Sequence, residues 1–207
     1  MSPRRYRLGQ RQAAVDQTRA RIIAAARELL LAGGVSSGFS VDAVARQAGV
    51  ARMTVYYQFG SKRGLLEALF DDLAARAQIG ERLAGAFRQP EPLDALAGLV
   101  AAFGHFWASD RLVIRRLRSL AALDPDFEQA LPARDERRRE GLRVVVGRLV
   151  ARHGWPAPDA VDEAVDLLHT ATSFETFDTL AGSARSPEDV VPVVQRLTRA
   201  ILDLYED

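Results

Sequence analysis

Apolar residues recur along most of the chain at spacings of three and four, the period of an α-helix that buries one side. No segment between turn signals alternates apolar and polar residues with a period of two, as a half-buried strand would. The pattern therefore predicts an all-α protein.

The first helix is predicted over residues 16–32, where Gly33 and the glycine after it end the apolar stripe. A second, short helix follows Ser40, whose hydroxyl suits the N-cap position. Gly49 ends that helix, and a third short helix is predicted almost at once, over residues 51–58.

The third helix has an unusual composition for an exposed helix surface. Its solvent side is expected to show Arg, Thr and two tyrosines rather than the Glu, Lys and Ala that propagate a helix at low cost. Gly60 follows it, and Ser61 is predicted to cap a longer helix through about Ala77. Two short helices around a tight glycine turn, resting on a longer first helix, are typical of a helix-turn-helix.

In a helix-turn-helix, one side of the third helix packs inward and the other enters the DNA major groove. Val50, Val55 and Phe59 are predicted on the inward side. Arginine can bond guanine through two hydrogen bonds, and Met or a tyrosine ring can contact a thymine methyl group. Hydroxyls, lysine and backbone N–H groups suit phosphates. The polar side of the third helix is therefore predicted to face DNA.

Longer helices are predicted beyond Gly80. Their approximate bounds are residues 92–108, 110–122, 133–153, 158–181 and 187–205. Prolines lie at or near the breaks, but Pro192 falls just past the first turn of the last helix, where it should bend or delay that helix. The pattern predicts an N-terminal helix-turn-helix domain over residues 1–79 and a larger helical domain over residues 80–207.

The distribution of charge agrees with DNA contact in the first part of the chain. Residues 1–63 contain 11 Arg or Lys and 3 Asp or Glu, whereas residues 64–207 contain 17 and 24. A basic N-terminal third beside an acidic remainder indicates that only the first part meets a polyanion. Chance clustering of solvated charges is the alternative.

The composition is that of an ordinary soluble globular protein, with 48% apolar residues, 27% charged residues and a net charge of +1. No apolar run approaches the roughly 20 residues that span a bilayer, and the basic N-terminus lacks the apolar segment of a secretory signal. The chain has no cysteine, which excludes disulfides and thiolate chemistry. A cytoplasmic protein without a membrane partner is expected.

The segment SVDAVARQAGVARMTVYYQFGSKRGLLEAL, residues 40–69, resembles the DNA-binding signature of the TetR family of bacterial transcriptional regulators. The similarity extends over about residues 18–70, and the rest of the chain is similar in layout alone. The resemblance implies a homodimeric, ligand-responsive protein, usually a repressor. Each subunit would place a recognition helix in one half of a palindromic operator on double-stranded DNA. Residues 80–207 would then bind the effector and form the dimer.

The DNA contacts of the family carry over to matching positions. Base contacts are implied for Arg52, Met53 and Tyr57, and phosphate contacts for Ser40, Thr54, Tyr56 and Lys62. Two positions depart from the family pattern. Ala51 stands where Ser or Thr is frequent, which removes a helix cap. Met53 stands where Gly is common, so it should narrow the sequence preference, toward a thymine methyl group, or else tilt the helix.

Other roles are open for some of these residues. Tyr56 could be mainly a core aromatic with its hydroxyl at the rim, and Thr54 could simply support the helix surface. A basic N-terminal arm is formed by Arg4, Arg5, Arg7 and Arg11. This arm could follow a phosphate backbone or enter a minor groove, or it could be a solvated tail without fixed contacts.

The last two predicted helices, residues 158–181 and 187–205, are expected to pair with their symmetry mates in a homodimer. The apolar positions of the last helix are Val190, Val194, Leu197, Ile201 and Leu204. In the preceding helix Leu167, Ala171, Phe174 and Ala181 share one side, and Val161, Val165 and Leu168 share another. A helix apolar on two sides is either deeply buried or shared with a second molecule, so a role in the core alone is the alternative. Palindromic half-sites require such a twofold pair.

A small organic effector is implied by the resemblance, and its identity is open. Effector candidates combine aromatic walls with a few polar groups, as ligand pockets do. The main candidates are Phe103, Phe106, Trp107, Arg118, His169 and Ser173, and the further ones are His105, Thr172 and Thr176. For each of these residues, the alternative is an ordinary structural role in the core or at the surface. The effector would act by favouring a form whose recognition helices are wrongly spaced.

No catalytic residue, metal site or cofactor is predicted, and the protein is not expected to be an enzyme. His105, His153 and His169 are far apart and lack the spacing of a zinc motif. GVSSG at residues 34–38 matches the G-x-S-x-G pattern of serine hydrolases, but it falls in a predicted loop between helices instead of after a strand. The alternative function is a helical small-molecule-binding or enzymatic protein with a vestigial DNA-binding domain.

Overall fold

The computed structural model describes residues 3–33, 39–123 and 131–206. The regular elements in those ranges are helical and none is a strand, so the all-α prediction is confirmed. The helices are α1 (Pro3–Ala32), α2 (Val41–Ala48), α3 (Arg52–Phe59), α4 (Lys62–Arg76), α5 (Ile79–Phe87), α6 (Pro92–Ser109), α7 (Arg111–Leu123), α8 (Pro132–His153), α9 (Val161–Ala171), α10 (Phe174–Ala181) and α11 (Val191–Asp203). Among these described helices, none has the length and apolar character needed to cross a membrane.

The chain forms two compact units. The N-terminal unit contains residues 1–72 and 112–130, and the C-terminal unit contains residues 73–111 and 131–207. α4 and α7 each continue from one unit into the other. Within the N-terminal unit, Arg116 of α7 donates a hydrogen bond to the carbonyl of Leu30 near the end of α1. The domain bounds 1–79 and 80–207 stay a prediction, and this return of α7 to the first unit has no local signal in the sequence.

Local signals form the helix-turn-helix as predicted. Ser40 Oγ accepts a hydrogen bond from the N–H of Ala43 at 3.1 Å, so Ser40 is the N-cap of α2. Gly49 ends α2 in the left-handed region at φ 62°, where a side chain would be strained. Val44 of α2 and Val55 of α3 are buried, and α2 packs against both α1 and α3.

A close junction joins α3 to α4. Ser61 Oγ accepts a hydrogen bond from the N–H of Gly64 at 3.0 Å, which confirms the predicted capping role of Ser61. A Cβ atom on Gly64 would lie only 2.1 Å from the carbonyl oxygen of Phe59. Glycine at position 64 therefore allows α4 to begin directly against the end of the recognition helix α3.

The first half of the chain differs from the predicted helices in two places. α1 begins at Pro3 and not at Asp16, because the polar stretch before Asp16 carries no apolar stripe to signal a helix. The pattern also does not predict α5, since Gly80 and Gly85 disfavour a helix.

Packing explains why α5 forms despite its glycines. In the C-terminal unit α5 lies against α6, and a Cβ atom on Gly98 would come within 3.0 Å of the Cβ of Ala86. The small residues at these two positions allow the helix backbones to approach closely. Tertiary contact thus overrides the weak helix propensity of α5.

The prediction of one helix over residues 158–181 is wrong. α9 ends at Ala171, and Ser173 starts α10 by accepting a hydrogen bond from the N–H of Thr176 on its Oγ at 3.2 Å. The predicted apolar side formed by Leu167, Ala171, Phe174 and Ala181 is therefore divided between α9 and α10, whereas Val161, Val165 and Leu168 all lie on α9.

Side chains from other helices stabilise this break. Arg138 of α8 donates from Nη1 to the carbonyl of His169 at 2.6 Å and to Thr172 Oγ1 at 3.0 Å. Trp107 of α6 donates from Nε1 to the carbonyl of Thr172 at 3.3 Å. Carbonyls at the end of a helix need partners from outside the helix, and these two side chains supply them.

The last helix begins later than the predicted start of residues 187–205. The N–H of Ser186 donates to Asp189 Oδ2 at 2.8 Å, and the N–H of Asp189 donates to Ser186 Oγ at 3.2 Å. A 3₁₀ turn at Glu188–Val190 follows, and α11 has Pro192 in its first turn. This arrangement confirms that Pro192 delays the helix, because a proline cannot donate the N–H that an earlier start would require.

Candidate nucleic-acid interface

The recognition helix α3 has one buried and one exposed side. Val55 is 1% exposed, whereas Met53 is 71% and Tyr57 is 85% exposed. Met53 and Tyr57 are one helical turn apart, and adjacent exposed side chains of this size form the kind of surface patch that marks a contact site. Met53 and Tyr57, both predicted base contacts, therefore lie together on the surface that the helix offers to solvent.

Arg52 lies at the first position of α3, and 56% of its side chain is exposed. Its Nη1 is 3.2 Å from Asp42 Oδ2, and its Nη2 donates to the Tyr56 hydroxyl at 3.3 Å. The guanidinium also lies over the Tyr56 ring, 5.5 Å from the ring centroid. The hydrogen bond to Tyr56 and then the charge of Asp42 raise the pKa of Arg52. Arg52 is therefore a fixed positive charge held by two neighbours at the surface.

Thr54 and Tyr56 are half-buried. The Tyr56 hydroxyl reaches the exposed Arg52, so the ring lies partly inside while the hydroxyl remains at the rim. This geometry is compatible with both predicted roles of Tyr56, the core aromatic and the phosphate contact.

Ser40 and Lys62, the remaining predicted phosphate contacts, lie at helix N-termini. Ser40 is the N-cap of α2, and its hydroxyl hydrogen remains a donor because its oxygen accepts the bond from Ala43. Lys62 is the first residue of α4 and is half-buried. Backbone N–H groups at helix N-termini and such side chains are the usual donors to phosphate oxygens.

Arg19 of α1 holds the end of α3, a role that the sequence pattern does not reveal. Its Nη1 donates to the carbonyl of Gln58 at 2.9 Å, and its guanidinium lies 4.5 Å from the centroid of the Phe59 ring. Cations near the last carbonyls of a helix stabilise it. Arg19 therefore links the long first helix to the recognition helix. Only the tertiary structure identifies this arginine among its neighbours.

The backbone of the predicted basic arm is helical and forms the first part of α1. Arg4, Arg5, Arg7 and Arg11 belong to α1, but their side chains lie outside what the structure describes. Their predicted contacts with a phosphate backbone or a minor groove stay predictions.

The predicted effector residues on α6 form an aromatic cluster. Trp107 has its ring centroid 5.8 Å from that of Phe103, 4.7 Å from that of Phe106 and 5.7 Å from that of Phe174. All four side chains are buried. In this conformation they pack on one another as core residues do.

His169 lies beside the buried Arg138. Its Nε2 is 2.9 Å from Arg138 Nη2 and 3.2 Å from the carbonyl oxygen of Asp135. Burial and then the charge of Arg138 lower the pKa of His169, so the imidazole is neutral near neutral pH. A neutral ring can accept on Nε2 the hydrogen bond that Arg138 Nη2 donates, which a protonated ring could not do.

The six main effector candidates do not form one group. Ser173 is occupied as the cap of α10, while Arg118 lies on the part of α7 that belongs to the N-terminal unit. A shallow pocket of about 160 Å³ lies elsewhere in the C-terminal unit, between α6 and α11. It is lined by Leu93, Leu96, Ala97, Gln195, Thr198 and Arg199. Ligand pockets usually have volumes of roughly 300–1,000 Å³, so this one is small.

The predicted dimer helices have fewer exposed apolar side chains than their sequence pattern indicates. On α9 and α10, Leu167 is exposed while Ala171, Phe174 and Ala181 are buried. Leu197 on α11 is exposed, and Leu204, which follows the last residue of α11, is 71% exposed. Leu167, Leu197 and Leu204 are the large apolar side chains that are exposed among residues 161–171 and 191–204.

No group of three or more His, Asp or Glu side chains among the described residues could hold a metal ion. His105 is 3.2 Å from Glu188, and His153 is 3.0 Å from Glu91, so each of these histidines pairs with a single carboxylate. The GVSSG segment at residues 34–38 lies outside the described residues.

Comparison with known proteins agrees with the helix-turn-helix geometry. Residues 22–69 match the profile of bacterial regulatory proteins of the tetR family. The HTH-type transcriptional regulator SrpR of Pseudomonas putida is 46% identical over 57 residues, which are 28% of this chain and 26% of SrpR. This match compares only about a quarter of the length of SrpR.

Solved structures resemble the fold of nearly the whole chain. A TetR transcription regulator from Haloarcula marismortui has a TM-score of 0.68 at 18% identity, covering 92% of this chain and 98% of that one. NalD, the secondary repressor of the MexAB-OprM multidrug efflux pump in Pseudomonas aeruginosa, has a TM-score of 0.66 at 21% identity, covering 91% and 97%. The match over residues 22–69 identifies a DNA-binding domain of the tetR type in the N-terminal part of the chain, and the structural matches show that nearly the whole chain shares the fold of these two proteins.

Proposed function

We propose that the protein binds double-stranded DNA through the exposed side of α3 and regulates transcription as a homodimer. One observation carries the proposal. Arg52, Met53 and Tyr57 project from α3 into solvent, while Val55 on its other side is buried. A helix of this kind, resting on two others, is what a helix-turn-helix places in the major groove.

Each exposed residue has a matching target in the groove. Arg52 presents N–H donors for the acceptors of guanine, and Met53 and Tyr57 present apolar surface for a thymine methyl group. Ser40, Thr54, Tyr56 and Lys62 are the proposed phosphate contacts, which set position and not sequence preference. The absence of a side-chain hydrogen bond from Ala51 at the start of α3 leaves backbone N–H groups there for a phosphate.

The proposed dimer uses α9 and α11, within the helices predicted at about residues 158–181 and 187–205. Leu167, Leu197 and Leu204 supply the exposed apolar surface, and twofold pairing would set two recognition helices on two half-sites of a palindrome. Mutating Leu204, the most exposed of the three, is the most direct way to disturb this interface.

Repression is proposed by analogy with NalD, a repressor of similar fold, and release by a small organic effector is proposed from the resemblance to the TetR family. An effector acts only through a difference in affinity between two conformations. The aromatic cluster around Trp107 favours an apolar or aromatic effector, which would have to enter by separating rings that are packed together here. Such a ligand would stabilise a conformation different from this one.

The test is a selection from randomised duplex DNA by the purified full-length protein, followed by sequencing. We expect the wild type to enrich a short palindrome. Arg52→Ala and Tyr57→Ala should weaken binding to it by about 5- to 150-fold each, because each removes a contact to a base. Affinity is measured by fluorescence anisotropy at fixed salt, since phosphate contacts make all affinities depend on salt.

Arg82→Ala is the matched control, because Arg82 is an exposed arginine on α5 in the C-terminal unit. It should bind the selected sequence as the wild type does. The proposal is wrong if the wild type enriches no sequence at moderate salt. It is also wrong if Arg52→Ala binds the selected DNA as tightly as Arg82→Ala, because α3 would then not be the helix that contacts the bases.

A further inference from the structure

Asp42 and Arg52 come from different helices of the helix-turn-helix. Asp42 lies in the first turn of α2, and Arg52 is the first residue of α3. The two charges are 3.2 Å apart at the surface, and both side chains are about half exposed. The carboxylate of Asp42 therefore lies beside Arg52, the arginine that we propose contacts a DNA base.

The carboxylate of Asp42 affects DNA binding in two ways, by ordering Arg52 and by repelling phosphates. A free arginine loses side-chain entropy when DNA fixes it, but Asp42 already holds Nη1 of Arg52 and the Tyr56 hydroxyl already holds Nη2. The guanidinium has five N–H donors, so several remain for another acceptor. The carboxylate also repels DNA phosphates, which weakens binding that depends on charge alone.

We propose that Asp42 is a positioning residue that sets sequence discrimination, by holding Arg52 in its reading orientation and opposing non-specific contact with phosphates. This inference rests on the proposed DNA-binding function and adds to it a residue outside α3. Asp42 itself does not need to contact a base. Its effect is expected in the ratio of affinities for selected and random DNA.

A purely structural role for Asp42 makes a different prediction. Acidic residues in the first turn of a helix stabilise it through the helix dipole, and Asp42 has that position in α2. Loss of this effect would lower the unfolding midpoint and leave the discrimination of DNA sequences unchanged. The two roles are therefore separated by measuring stability and discrimination on the same variants.

The experiment uses Asp42→Asn and Asp42→Ala in the full-length protein. Affinities are measured for the palindrome selected by the wild type and for a random duplex of equal length. We expect the ratio of the two affinities to fall by about 2- to 12-fold, because Arg52 must then be ordered by DNA itself. Random DNA should be bound more tightly by both variants, since a negative charge has been removed.

Glu28→Gln is the matched control. It removes one negative charge from the same unit, but Glu28 accepts its hydrogen bond from the amide of Gln47 and not from an arginine. The ratio of affinities should stay at the wild-type value in this variant. In an Arg52→Ala background, Asp42→Asn should cause no further loss in the ratio, since the group that Asp42 positions is gone.

A second readout does not involve DNA. Nuclear magnetic relaxation of the Arg52 Nε–H group in the free protein should show an ordered side chain in the wild type and a mobile one in Asp42→Ala. An unchanged affinity ratio, an equal loss in Glu28→Gln, or an equally ordered Arg52 in Asp42→Ala would each overturn the inference. If the wild type itself does not discriminate between DNA sequences, the proposed function fails first and this inference fails with it.

Discussion

Arg52 in the N-terminal unit and Arg138 in the C-terminal unit show how differently one residue type is used. The Arg52 side chain is 56% exposed, and it contacts Asp42 through Nη1 and the Tyr56 hydroxyl through Nη2. Arg138 is 6% exposed and bonds the carbonyl of His169 and the hydroxyl of Thr172. Arg52 therefore has N–H donors available for a partner such as DNA, whereas the N–H donors of Arg138 bind groups at the end of α9.

The aromatic residues repeat this contrast. Tyr57 is 85% exposed on α3, whereas Trp107 is buried among other rings on α6. Residue type alone therefore did not separate recognition from packing in this chain. What separates them is whether neighbouring helices cover the side chain, and this difference can be tested by substitution in each unit.

The largest effect on stability is expected from Arg138→Ala. The substitution removes one donor from the His169 carbonyl at the end of α9 and the donor to the buried Thr172 hydroxyl, and it removes packing against the Phe103 ring, 5.9 Å from the guanidinium. We expect the free energy of unfolding in urea to fall by about 2–3 kcal/mol. Arg137→Ala, a neighbour that is exposed, should change it by less than about 0.5 kcal/mol.

Equal effects of Arg137→Ala and Arg138→Ala would contradict the contrast between the exposed and buried arginines. Arg52→Ala tests the same contrast between exposed and buried arginines from the exposed side. That variant is expected to unfold like the wild type while losing its DNA preference, so the two arginine variants should have opposite patterns in the two assays.

A smaller effect is expected from Gly64→Ala in the N-terminal unit. The new Cβ would meet the carbonyl oxygen of Phe59 at 2.1 Å, and because that atom belongs to the backbone, the junction between α3 and α4 must move. We expect a loss of about 1–3 kcal/mol in the free energy of unfolding, together with weaker DNA binding.

Gly147→Ala in α8 is the control for this glycine, since a Cβ there has open space around it. It should stabilise the protein by about 0.5–1 kcal/mol, because alanine favours a helix over glycine. If Gly64→Ala is as benign as Gly147→Ala, the recognition helix is not held by this junction.

The smallest effect concerns pH and His169. Burial and the charge of Arg138 lower the pKa of His169 below 6.5, so the unfolded chain takes up the proton first as the pH falls. His169 therefore contributes no pH dependence well above 6.5, and stability is lost as the pH falls below that value. The loss should be on the order of a few tenths of a kcal/mol, because the side chain is only partly buried.

The measurement is urea unfolding at several values between about pH 5 and pH 7 for the wild type and His169→Gln. Glutamine keeps a hydrogen-bonding group but does not titrate, so the variant should show a shallower decrease in stability toward acid. Identical slopes for the two proteins would show that Arg138 and His169 are not coupled as the distances indicate.

The helix-turn-helix was predictable from sequence because its signals are local. Ser40 caps α2, Gly49 ends it with a positive φ, and Ser61 caps α4, each within a few residues of the bonds it makes. The exposed residues of α3 followed from the same local period. A cap or a turn glycine acts on its own neighbours, so one sequence is enough to recognise it.

The C-terminal unit was predicted less well because its decisive contacts join distant residues. α5 forms on α6 despite two glycines, and the break after α9 depends on Arg138, 34 residues before Thr172. A local pattern contains only part of that information, the Ser173 cap of α10. The effector candidates are likewise divided between the two units, since Arg118 belongs by contacts to the N-terminal unit.

The sequence by itself determined the all-helical class, the helix-turn-helix, and the family to which its first part points. Periodicity, caps and turn glycines are properties of neighbouring residues, and they act before the chain is packed. The tertiary structure decided which arginine is buried, where α9 ends, and which carboxylate stands beside Arg52. Those features depend on side chains from separate helices meeting in space, and only the packed chain brings them within hydrogen-bond distance.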